Sequence, residues 1–354
     1  MKPLFYLNKF LWNYKKLLLV GSVFIVIANL FALYPAEFVR KAFDSVLLSI
    51  ENNTQSSEKI RNTLLKYGGL IVAFALLKGV FMYFMRQTVI VMSRKIEFDL
   101  KNEIYQQYQN LSMSFYKKNK TGDLMNRISE DVSRVRMYLG PALMYGVNIS
   151  ILFYLVISKM ISISSTLTFY VLLPLPILAI TVYFVSSSIN KRSERVQEQL
   201  SQITTISQET FSGIKIVKSF GNEENTWEVF LNSCKAYTKK QLQLVKIEAF
   251  FFPLIITMIG TSSILTIYIG GLESFKGNIT TGNIAEFIIY VNMLAWPVAS
   301  VGWITSIVQR AAASQERIND FLLLKSDIEN KTEALTPITG DINFKDVSLT
   351  YEDT

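Results

Sequence analysis

The chain has 354 residues; half are hydrophobic, only 18% are Asp, Glu, Lys or Arg, the mean hydropathy is +0.28 and the formal net charge is +8. An average soluble domain carries roughly a quarter charged residues, so a disulfide scaffold, a disordered tail and an ordinary cytosolic enzyme are excluded. Cys234 is the only cysteine, and with no histidine every Ser-His, Cys-His or His-metal scheme falls away.

Residues 1–16 come first. Lys2, Lys9, Lys15 and Lys16 precede an apolar run too long and too aromatic for a signal peptide, and no small-residue cleavage site follows. The segment reads as an interfacial amphipathic helix carrying Phe5, Tyr6, Phe10 and Trp12, with the N-terminus cytoplasmic.

Six stretches nearly free of charge follow: Leu17–Ala36, Tyr67–Met85 (broken once by Lys78), Met137–Ser158, Met160–Asn190, Ala249–Leu272 and Phe287–Gln309. Each can cross a hydrocarbon core ~30 Å thick. Segments 86–136 and 191–248 and the tail after Gln309 carry most of the Lys and Arg, which places them in the cytoplasm of a multi-pass plasma-membrane protein. The net charge then implies contact with anionic lipid heads and not with nucleic acid.

The two long inner connectors are free of proline and break only near Gly122 and near Gly213 and Gly221. Their apolar residues recur at helical spacing, with Arg127, Glu130, Asp131 and Arg134 forming a charge ladder. The spacing predicts an all-α protein whose domain, 17–324, has six long helices projecting ~30 Å beyond the bilayer. They turn at two tips, 112–122 and 208–221. Thr121 is expected to cap the helix leaving the first tip, with Asp123 complementing its dipole. The second tip carries Phe211, Ile214, Ile216, Val217 and Phe220, an apolar strip that needs either a docked partner or neighbouring arms to cover it.

After a linker, 325–339, the periodicity changes. Ile342, Phe344, Val347, Leu349 and Tyr351 alternate with polar residues as in a strand pair, so 340–354 reads as the opening of a further domain.

Five groups of residues, in order, resemble the bacterial ABC exporters built as half-transporters, of multidrug or lipid type. They are Ser114, Phe115, Tyr116, Thr121, Gly122, Asp123, Leu124, Arg127, Asp131 and Val132; then Glu209, Gly213, Ile214, Val217, Lys218, Ser219 and Phe220; then Gly282, Asn283, Ile284, Phe287, Tyr290 and Pro297; then Ala311, Ala313, Glu316, Arg317 and Ile318; and finally Ile342, Phe344, Val347, Ser348 and Tyr351. The resemblance implies that the tips are coupling helices, with Phe115, Tyr116, Thr121, Gly122 and Asp123 in the first and Glu209, Phe211, Gly213, Ile214 and Val217 in the second. These would seat in nucleotide-binding domains, the second in that of a partner half-transporter, identical or not. Helices 4 and 5 would cross to that partner in a domain-swapped dimer.

The resemblance further implies that Tyr351 stacks on adenine, and that ATP and Mg act in the full-length protein. No Gly-x-x-x-x-Gly-Lys-Ser/Thr occurs here, so this chain is expected to bind neither. Lys78, inside a span, either faces a water-filled cavity or snorkels. At the places where lipid exporters carry further basic residues stand Asn148 and Ala299. Tyr145, Tyr290, Met293 and Trp296, with Phe31, Tyr34 and Phe153, are candidates for an apolar substrate cavity. Pro174, Pro176, Pro253 and Pro297 are candidate kinks. The expected function is alternating-access export of hydrophobic or amphipathic substrates, drug-like or lipid. The alternatives are a secondary transporter and a non-transporting scaffold with a docked partner.

Overall fold

Runs of Leu, Ile, Val, Phe and Met longer than any soluble helix needs fold as helices because, in lipid, backbone groups must be satisfied within the segment. A computed structural model describes residues 2–51, 57–328, 340 and 342–348. Six helices are long and apolar enough to cross a membrane: α1 (Lys15–Ser49), α2 (Glu58–Asn110), α3 (Thr121–Ile163), α4 (Ser165–Ser212), α5 (Glu223–Phe275) and α6 (Thr281–Leu322). They run alternately up and down between a tip end, where the hairpins α2–α3 and α4–α5 turn, and a far end.

Packing is pairwise. α1 lies along α2 through a ladder of rings: Phe24 meets Phe81 and Phe84, Phe31 meets Phe74 and Phe81, and Tyr34 and Phe38 meet Phe74. Phe31 and Tyr34, expected in a cavity, are thus tied to this pair. α4 runs beside α5, and α6 joins the pairs by touching α1, α3 and α5. One core, at the tip end, gathers Met92, Ile96, Leu100 and Ile104 of α2, Val132 and Val135 of α3, and Ile318 and Phe321 of α6. A second, toward the far end, gathers Val156 and Met160 of α3, Val171 and Leu178 of α4, and Phe287, Tyr290 and Leu294 of α6.

The N-terminal segment is a 3-10 turn, Lys2–Leu7, and a short helix, Asn8–Asn13. It is amphipathic as expected, but its apolar face packs on protein: Leu4, Leu7 and Phe10 enter the tip-end core while Phe5 and Trp12 stay exposed. Lys9 pairs with Glu103 of α2 at 2.6 Å, and Asn319 of α6 donates to the Pro3 carbonyl.

Local chemistry sets the breaks. The α3–α4 turn is Ser164, whose hydroxyl accepts from the Leu167 amide as an N-cap. α6 opens with a capping box between Thr280 and Asn283. α4 is interrupted at Leu173, and Pro174 starts the next helical segment, while Pro253 and Pro297 lie inside continuous helix. In α3 the ladder loosens into π-turns at Arg127–Asp131 and Tyr138–Ala142, the second accommodating Pro141. At Gly140 the backbone of α3 comes so near α2 that a Cβ would lie 2.7 Å from the Ser93 hydroxyl.

Two sequence expectations change. Thr121 is already the first residue of its helix; the N-cap is Lys120, in extended conformation, and no side chain caps it. Asp123 does lie in the first turn. Residues 342–348 form no strand: a strand requires a neighbour to share backbone hydrogen bonds, and none of the described residues pairs with them; Ile342, Phe344 and Val347 are all exposed.

Candidate coupling tips and cavity wall

The first tip is a short helix, Met113–Lys118, followed by Asn119 and Lys120. Its aromatic residues are held by the protein's own arms. Phe115 and Tyr108 both contact Phe321 of α6, with ring centroids 6.1 and 4.8 Å apart, and Arg127 covers the same ring. The Tyr116 hydroxyl donates to the Tyr108 carbonyl. The segment leaving α6 is fastened to the same tip: Gln107 donates to the Leu324 carbonyl, and Asp327 accepts from Ser114 (2.5 Å) and Ser112 (3.2 Å). Those hydroxyls, Ser114 first, hold the Asp327 carboxyl below the usual carboxylate range.

Beneath this contact lies an ion pair the sequence reading left as a surface ladder. Asp131, 5% exposed, accepts from Ser314 at 2.8 Å and from the Arg317 guanidinium, whose Nε lies 3.1 Å away. Asp131 closes the π-turn Arg127–Asp131 and meets α6, while its neighbours Glu130 and Arg134 pair with each other on the exposed face.

The second tip is different. Glu209 and Phe211 close α4, Gly213 turns the chain, and Ile214–Ser219 form a short helix before Gly221, at φ +61, turns it again. Glycine suits that left-handed position because any Cβ would be strained there. Phe211 is 74% exposed, and Ile214, Ile216 and Phe220 are exposed with it. With Val217, Trp227 and Phe230, Phe211 and Ile214 line a groove of about 290 Å³ between the arms. The structure therefore leaves uncovered the strip that the sequence singled out.

The residues picked for a cavity divide. Tyr290 is corrected: it is fully buried, and its hydroxyl donates to buried Glu286 at 2.7 Å, so it belongs to the packing. Glu286 in turn lies 3.4 Å from Arg40 of α1, part of a polar cluster at the far end that also holds Glu37, Lys41 and Lys159. Lys78 is half-buried, without hydrogen bond or ion pair, on the α2 face that carries Phe74 and Phe81 toward α1. Asn148 accepts from Asn29 of α1 at 2.9 Å. Met293 is half-buried and Trp296 is exposed. Tyr145 sits edge-on to both Trp296 and Trp303, with centroids 5.8 Å apart in each case, and its hydroxyl accepts from Arg86 of α2 at 3.1 Å.

Arg86 and Trp303 were missed. Arg86 directly follows the apolar run of α2 and so reads as the first residue of a connector; Trp303 reads as one more aromatic in a span. The signal was helical spacing, since positions 292, 296, 299 and 303 form one partly exposed stripe of α6. Tyr351 lies outside the described residues.

Six apolar helices with arms and two turned tips define a polytopic membrane protein. Residues 17–298 match the family model for the ABC transporter transmembrane region, and the chain belongs to that family. Among its relatives is an uncharacterized ABC transporter ATP-binding protein, YknU, of Bacillus subtilis, 30% identical over 79% of this chain and 48% of that protein. The multidrug resistance-like ATP-binding protein MdlA of Escherichia coli is 27% identical over 82% and 50%. An ATP-dependent lipid A-core flippase of Syntrophus aciditrophicus is 27% identical over 95% and 55%. The chain spans about half the length of these relatives. It is the membrane domain of a bacterial-type ABC exporter.

Proposed function

We propose that this domain moves hydrophobic or amphipathic molecules out of the cytoplasm or the inner leaflet by alternating access, driven by ATP bound outside the sequence described here. The observation that carries this reading is the uncovered strip at the second tip. Phe211, Ile214, Ile216 and Phe220 lie beyond the apolar runs, too far along the arms for lipid to cover, so a docked protein must bury them. A nucleotide-binding domain is the partner that the names of the relatives suggest. ATP and Mg would act there, since this chain offers no phosphate-binding loop.

The tip end faces the cytoplasm of a plasma-membrane protein in this reading, because the basic arms project from it. A second half-transporter, identical or not, completes the cavity. Val72, Leu76 and Val80 on the open side of α2, and Ile256, Ile264 and Ile267 on α5, are apolar surface that lipid and a domain-swapped partner would share. Movement of the bound domains would reach the spans through both tips, the first being locked to α6 at Phe321 and the second protruding freely.

Reconstitution of the full-length protein in proteoliposomes tests this. Burying an aromatic completely contributes about 3–5 kcal/mol, so Phe211→Ala should loosen the docking. Hydrolysis should continue while transport falls at least tenfold, and substrate should no longer stimulate hydrolysis. Wild-type transport with stimulation intact would move the coupling role to Phe115 and Tyr116.

A further inference from the structure

We infer that a latch of charges, centred on Arg40 of α1 and Glu286 of α6, holds the far ends of α1, α3 and α6 together and must part before substrate leaves outward. The inference rests on the exporter reading and names the residues that would keep its outer side shut. Glu37, Arg40, Lys41 and Asp44 follow directly on the apolar run of α1 and, three or four positions apart, share one helix face. That face meets two other helices through charge. Arg40 Nε lies 3.4 Å from the fully buried carboxylate of Glu286. Lys159 of α3 lies 3.4 Å from Glu37, which also holds Lys41 at 2.9 Å. One turn on, the Asp44 carboxylate accepts from the Thr280 hydroxyl and the Gly282 amide, both at 3.0 Å, and so covers the positive end of α6 from another helix. The approach needs glycine, since a Cβ at Gly282 would lie 2.6 Å from the Arg40 carbonyl.

The cluster is balanced: the acids Glu37, Asp44 and Glu286 meet the bases Arg40, Lys41 and Lys159, so no surplus charge is left to recruit an ion. What sets it apart is how the partners of Glu286 are divided between helices. Tyr290 and Asn283, which donate to it at 2.7 and 3.4 Å, ride on α6 itself, whereas its cation comes from α1. If α1 draws away, Glu286 keeps its neutral hydrogen bonds and loses its countercharge, while the partly exposed Arg40 can turn to water. A buried charge left without its partner is costly, so the pair biases the far ends toward the closed arrangement. The contact is also releasable. Arg40 Nε is buried without a hydrogen-bond partner, so the pair is held by attraction at 3.4 Å with no hydrogen bond to break.

Amide exchange in the full-length protein, carried in nanodiscs, tests the latch over 281–286, where Gly282 bonds to Asp44. Exchange there should be slow without nucleotide and faster when the protein is trapped with ATP and vanadate. Without nucleotide, Glu286→Gln, which keeps the side chain's shape, and Arg40→Met should each speed exchange about tenfold or more, the factor a charge-assisted contact supports. Arg40→Lys should largely keep the wild-type rate. The double variant should be no faster than either single one, because both remove the same contact. Residues 96–104 of α2, in the tip-end core, should stay protected throughout. Wild-type rates in both single variants, additive effects in the double, or loss of protection that spreads to 96–104 would overturn the latch. The two readings fail separately: ATP-driven transport with 281–286 equally protected in the trapped and nucleotide-free states would end the latch and leave the exporter.

Discussion

At the residue scale, the pair between Asp131 and Arg317 fixes the tip end of α3 to α6. The carboxylate is buried and also accepts from Ser314, whereas Arg317 is half exposed and keeps access to solvent. Removing one partner of a fully buried pair costs about 3–5 kcal/mol, and solvent screening of Arg317 reduces that to about 1–3 kcal/mol. Asp131→Ala is therefore expected to lower the thermal unfolding midpoint of the purified protein, with Asp131→Asn intermediate. Adding Arg317→Ala to Asp131→Ala should cost little more, since its partner is already gone. An unchanged midpoint for Asp131→Ala would show that Phe321 and its neighbours hold α3 to α6 without the charge pair.

At the scale of elements, the segment leaving α6 behaves as a strap on the first tip. Its polar clasp is Asp327 on Ser112 and Ser114, and its apolar anchor is Phe321 among Tyr108, Phe115 and Arg127. Because docking lowers the carboxyl of Asp327 below its ordinary range, the docked form binds a proton less readily than the free form. Its contribution is complete above the ordinary aspartate value of about 4 and is lost as pH falls through the lowered one. Amide exchange over 324–328 should thus be slow at neutral pH and, after correction for intrinsic rates, speed up below about pH 4. In Asp327→Ala the protection should be weaker and insensitive to pH over that window. Protection that is strong in both forms would mean that Phe321 and the Gln107–Leu324 bond suffice.

At the scale of the whole molecule, basic residues gather at one end, and the topology follows if that end is cytoplasmic. An impermeant amine reagent should then label Lys276, 65% exposed at the far end, in intact cells. Lys101, Lys118 and Lys239, all on the arms or tips, should be labelled only in inside-out vesicles. Labelling of Lys118 in intact cells would reverse the orientation and with it the assignment of both tips. The rest of the chain covers α2 and α5 on little of their surface; in the proposed reading, lipid and a second half-transporter would take the place of a core there.

Much of this was legible in residue order. Six runs long enough to span, arms without proline, and turns at Gly213 and Gly221 follow from hydropathy, helical period and backbone freedom, which are local properties; the first tip turns at Asn119 and Lys120, with Gly122 already helical. The exposed strip at Phe211 and Ile214 was also legible, because an apolar face so far from the spans has no lipid to cover it. What residue order did not settle is which way each helix face turns. Tyr290 and Trp296 stand six positions apart on α6 with similar apolar surroundings in sequence, yet one is buried on Glu286 and the other lies open beside Tyr145. Arg86 opens a connector in sequence, and only the fold sets it against Tyr145 of α3; the N-terminal segment reads as a membrane-surface helix, yet Leu7 is buried in the tip-end core. These outcomes depend on packing between helices far apart in the chain, where ridge meets groove and a half-turn of rotation exchanges a buried residue for an exposed one.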